Sequence, residues 1–149
     1  MQNLHLQSDA AFDNPGYKLF SAGQIAAGTF FGSILTGGYM LAENYTQLKD
    51  AKNAKRRMLR SIIYYLLYIL SAVALRDLPS GPWLWVGIGF IFIYKSEFKR
   101  EQADNYSEHL AQGGERCSNW LVAAICALNL VAYFSIAIIA VFVLELAGF

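Results

Sequence analysis

The chain has 149 residues, of which 56% are hydrophobic and only 15% charged, with a formal net charge of +1. A soluble domain of this length carries nearer a quarter charged residues, and the mean hydropathy is +0.33. Near-neutral charge excludes an electrostatic bias toward nucleic acid, and this length fits one domain. The charges fall in a few blocks separated by long apolar runs, which is the pattern of a polytopic membrane protein.

Residues 1–20 form a polar N-terminal tail with no apolar core of a signal peptide, and Asn14-Pro15-Gly16 is turn chemistry. The first apolar run, Ile25 to Ala42, has a marked start. Ser21 stands at N-cap spacing from Gln24, which makes a capping box, and Phe20 and Ile25 take the flanking apolar positions. One helix over 21–42 would be roughly 33 Å long, enough to cross a hydrocarbon core.

A basic stretch follows, with Lys49, Lys52, Lys55, Arg56, Arg57 and Arg60, before a second apolar run that predicts a span over about 58–75. The Arg76–Pro82 segment holds two prolines and a glycine, which stop one helix and start another. The third run, Trp83 to Tyr94, is short and predicts a span over about 82–98. Its alternative is a re-entrant hairpin made by the second and third runs. Residues 95–112 predict a polar helix ended by Gly113-Gly114, and the fourth run predicts a span over about 119–145. Trp83, Trp85 and Trp120 stand near the predicted interfaces.

The expected fold is therefore all-α: a four-transmembrane-helix bundle in a single domain, with cytoplasmic helical extensions at 43–60 and 95–112. Lys and Arg set the orientation. The 43–60 and 95–119 segments hold ten of them and are expected in the cytoplasm, with both termini outside an inner membrane.

Within the first span Gly28 and Gly32 are spaced as GxxxG, Ser33 and Gly37 repeat the small-residue spacing, and Gly38 follows. Such residues let helix backbones approach closely, within one chain or between copies. Gln24, Thr29, Thr36 and, in the fourth span, Asn129 are intramembrane polar candidates, either bonding within the bundle or lining a path. The six cations at 49–60 are a topology determinant or an anionic-lipid contact. Cys117 and Cys126, nine positions apart, cannot bridge within one helix. His109 has no second His or Cys at ligand spacing, and no catalytic motif is present, so no metal, cofactor or enzymatic activity is expected.

The segment Gln24-Ile25, Phe30, Gly32, Gly37-Gly38-Tyr39 and Asn44-Tyr45 resembles small uncharacterised bacterial inner-membrane proteins, in which a Gly-rich helix ends in a GG-aromatic and an Asn-Tyr pair before a basic loop. The resemblance covers residues 24–45 and implies no activity. The sequence thus predicts a non-enzymatic subunit, scaffold or regulator whose partners are lipids and either copies of itself or another membrane protein. The alternatives are an oligomeric channel or transporter-like bundle with the first span on its pathway, and a membrane immunity protein against a toxin.

Overall fold

The structure, a computed structural model, describes residues 15–74 and 81–146. The fold is all-α. Six helices, α1 (Ala22–Phe31), α2 (Ile34–Gln47), α3 (Ala51–Ala74), α4 (Gly81–Glu101), α5 (Ala103–Ala111) and α6 (Asn119–Leu146), are joined by two short strands, β1 (Lys18–Leu19) and β2 (Glu115–Arg116). The strands pair in parallel, with Lys18 opposite Glu115 and Leu19 opposite Arg116. Residues 1–14 and the 75–80 part of the expected loop lie outside the described residues, as does the side chain of Trp83.

The largest departure from expectation is in the first apolar run. It is not one helix over 21–42 but two, α1 and α2, folded back on each other. Its start is as predicted: Ser21 Oγ accepts the Gln24 amide and Gln24 Oε1 accepts the Ser21 amide, a complete capping box. The helix stops at Gly32, a poor helix former. Ser33 then caps a new helix, its hydroxyl accepting the Thr36 amide at 3.3 Å. Ser33 turns the chain at φ 149° and ψ 173°, a region populated almost wholly by glycine.

The two helices run antiparallel. At the open end the Phe20 amide donates to Asn44 Oδ1 (2.7 Å) and Asn44 Nδ2 donates to the Phe20 carbonyl (2.9 Å). At the tip Phe30 and Phe31 are exposed, with their rings nearly perpendicular.

This hairpin is the centre of the fold. α2 packs on α3, while α1 packs on α4 and α6. The core, around Ile25, Met40, Leu41, Tyr94, Phe98 and Val122, lies where the hairpin meets the long helices. The 95–119 segment divides between α4 and α5, and the latter ends where expected, with Gly113 at φ +81°.

Among the described residues no helix is long and apolar enough to cross a membrane, so the expected four-span bundle is not supported. The physical reason is visible in three elements. The first run is broken at residues 32–33, α3 opens on a basic stretch, and α4 closes on Lys95, Glu97, Lys99, Arg100 and Glu101.

Candidate functional site

The small residues of the first run are where the hairpin closes. A Cβ on Gly28 would meet Met40 Sδ at 2.7 Å, and one on Gly37 would strike the Thr29 side chain and approach Tyr94. Gly32 abuts Thr36 across the turn. Gly38 faces outward from the hairpin onto Ser61 of α3. Four glycines and Ser33 therefore serve contacts inside this chain. Thr29 and Thr36 are buried between α1 and α2, and the Thr29 hydroxyl donates to its own helix at Ile25 C=O (2.8 Å). Neither faces an open path. Asn129 also bonds within its own helix, donating to Ile125 C=O at 3.2 Å, so the partner helix expected for its amide is not found.

The open end of the hairpin carries a buried amide layer. Asn44 Nδ2 also reaches Gln102 Oε1 (3.0 Å), and Gln102 Nε2 donates to Leu41 C=O (2.9 Å). Gln24 Nε2 donates to Cys117 C=O (2.6 Å) and to Asn119 Oδ1 (3.0 Å). Asn44 and Gln102 thus tie Phe20, α2 and the α4–α5 junction together, and Gln24 ties α1 to the start of α6. Each buried amide is left with few orphan groups, which is the condition for such a network to stabilise.

Beside it lies an ion cluster. Arg57 on α3 is 5% exposed and pairs with Glu97 at 2.6 Å and with Glu101, both on α4. Arg60 reaches the other Glu97 oxygen at 3.1 Å, and the Tyr45 hydroxyl donates to Glu101 at 2.9 Å. Helical spacing explains it: Arg57 and Arg60 are three apart on α3, Glu97 and Glu101 four apart on α4, so each pair shares a face. The six-cation cluster read from the sequence is thereby divided. Lys49, Lys52, Lys55 and Arg56 are exposed, whereas Arg57 and Arg60 turn inward to α4.

The N-terminal arm closes over this end. Lys18 and Glu115 pair at 2.6 Å, which holds the Glu115 carboxyl below its ordinary range and the Lys18 amine above its own. The buried His109 ring stacks on Tyr17, 4.7 Å between centroids, with Nε2 3.1 Å from the Glu115 carbonyl. Its neighbours are thus the arm and Gly114 rather than carboxylates. Among the described residues no group of three or more His, Cys, Asp or Glu is placed to hold a metal. Cys117 and Cys126 are both buried free thiols.

Three functional features escaped the sequence reading. The second cap, Ser33 to Thr36, has a signal: two N-caps twelve positions apart mark two helices. Glu97 also has one, a carboxylate four residues before a second and opposed by arginines three apart. Gln102 has none, being one polar residue in a polar stretch. No family model, curated protein or solved structure matches the chain.

Proposed function

We propose that the chain is a non-enzymatic, membrane-embedded association subunit in which the apolar runs 61–75, 81–94 and 119–144 enter the bilayer as a group, since among the described residues no one helix is long and apolar enough to cross it alone, and the α1–α2 hairpin enters from the cytoplasmic side and returns to it. The observation that carries this reading is the contrast between the two ends. Apart from Arg76, the Lys and Arg fall at 18, 49–60, 95–100 and 116, in or next to the segments that meet at the open end of the hairpin, and none of residues 61–75, 81–94 or 119–144 is charged. Past the tip the side chains are large, apolar and exposed, among them Leu66, Leu67 and Leu70 on α3 and Val131 and Phe134 on α6.

α1 rises roughly 15 Å, half of a hydrocarbon core about 30 Å thick, so Phe30 and Phe31 at the tip reach the midplane. The charged end of α3, at its start, and that of α4, at its close, snorkel to one face. The fourth apolar run continues in sequence through Leu144. The N-terminal arm pairs with β2, so this topology puts residues 15–20 in the cytoplasm beside the 95–119 segment, rather than outside. That leaves Arg76 as the one cation on the far side, a stronger positive-inside bias than four spans give.

The apolar rows past the tip have no covering element in this chain among the described residues, and a second copy is the occupant this reading assigns to them. A conducting role would need Thr29 and Thr36 on a watered path, and their burial inside the hairpin counts against it. The test is extraction and native mass analysis. Carbonate-resistant membrane protein that runs as a defined oligomer in mild detergent is expected, with Leu66→Ala/Leu70→Ala shifting it to monomer. A soluble protein, or a wild-type monomer, contradicts the reading.

A further inference from the structure

A groove runs between α1 and α6, with a cavity volume of about 680 Å³. It exists because both walls are small at four-residue spacing, Gly23 and Ala27 on α1 facing Ala123 and Ala127 on α6. Its two ends differ chemically. One end is polar, formed by Ser21, Gln24, Asn119 and Arg116; the other closes on Phe31 and Leu130.

Three observations bear on what fits it. The first is charge. Lys18, Arg57 and Arg60 each have a carboxylate, while exposed Arg116 has no ion-pair partner among the described residues. It stands near the start of α1, whose first turn holds no acidic residue, so the helix dipole adds to the positive field there. The second is length: from Asn119 to Leu130, α6 rises roughly 16 Å, about the depth of one leaflet. The third is level. Trp120, 85% exposed, sits beside the polar end, where an interfacial aromatic belongs.

We propose that this groove binds one anionic phospholipid of the cytoplasmic leaflet, its phosphate at Arg116 and the start of α1 and an acyl chain laid along the small residues toward Phe31. The inference rests on the membrane reading above. Gln24 is not free to recognise the headgroup, because its amide holds Cys117 and Asn119; it shapes the mouth. Arg116 supplies the charge selection, and Ala27, Ala123 and Ala127 supply the room.

The test uses the full chain purified in mild detergent, with membrane insertion scored first by carbonate extraction. Phosphatidylglycerol or phosphatidylcholine is then added and retained lipid is counted by native mass spectrometry. One phosphatidylglycerol per chain is expected, preferred about fivefold over phosphatidylcholine, the scale of one cation acting on the lipid's net charge. Arg116→Gln should bring the two lipids to parity. Ala127→Trp should abolish retention of both while leaving oligomer and thermal unfolding unchanged, and Leu128→Trp, on an exposed position next to it, should change nothing. Equal retention of both lipids by the wild type, or an unaltered preference in Arg116→Gln or unaltered retention in Ala127→Trp, overturns the lipid site. A chain extracted by carbonate overturns the membrane reading itself, before any lipid is added.

Discussion

The two ends of the molecule are held by different physics. At the open end of the hairpin, Asn44 and Gln102 bond each other and nearby carbonyls, Gln24 bonds Cys117 and Asn119, and Arg57, Arg60, Glu97 and Glu101 form a tight ion cluster. Past the tip, α3 and α6 present leucines and aromatics to their surroundings with few partners in the chain. Directional bonds in the first region fix which helix sits where. The second region offers area without direction, which suits contact with lipid and with another copy. One end specifies the fold, and on the reading proposed above the other is left for association.

Substitutions sharpen the contrast in order of expected size. Arg57→Met leaves the buried Glu97 carboxylate with Arg60 alone and should lower stability by up to about 3 kcal/mol, the low end of the scale for breaking one partner of a buried pair. Denaturant unfolding in detergent measures it, and a loss below about 1 kcal/mol would put the cluster on a par with surface ion pairs. Asn44→Ala leaves the buried Phe20 amide without its acceptor and should lower stability by about 1–3 kcal/mol. Amide exchange at Phe20 should rise in the same variant.

The hairpin turn should respond in two directions. Ser33→Gly relieves a backbone conformation that a non-glycine residue holds at a cost of about 1–3 kcal/mol, while Gly replaces a serine cap with a loss of only a few tenths. The net change should be a gain in melting temperature. Ser33→Ala keeps the conformation and loses the cap, so it should melt below the wild type.

The smallest effect belongs to the arm. The Lys18 partner depresses the Glu115 carboxyl, so the contribution of that pair is present above the ordinary carboxylate range and is lost as pH falls through the lowered value. The Lys18 amine is raised by the same bond, so its contribution is present below the ordinary lysine value and fades as pH rises through the raised one. Exchange at the Leu19 and Cys117 amides, followed against pH, should slow between those limits. Lys18→Met should flatten the profile.

Much of the local structure is legible in the sequence. The Ser21–Gln24 capping box, the end of the 95–112 helix near Gly113 and the all-α class follow from local chemistry, and local chemistry decides them. The break in the first run is not legible in hydropathy, which integrates over 20 residues and does not register a break at two. Small residues at GxxxG spacing are silent about the partner, since that spacing suits a neighbouring helix on either side of a turn. Pairings such as Arg57 with Glu97 span 40 positions and become evident only once α3 and α4 are brought together.

The central claim is that residues 22–47 fold back instead of running straight. Spin labels at Gly23→Cys and Thr46→Cys, with Cys117 and Cys126 replaced by alanine, test it by a single pulsed dipolar distance measurement. A continuous helix puts those positions roughly 34 Å apart. The hairpin joins Phe20 to Asn44 by direct hydrogen bonds, so it predicts a distance less than half of that. A distribution centred near the full helical length would contradict the hairpin, and with it the topology built upon it.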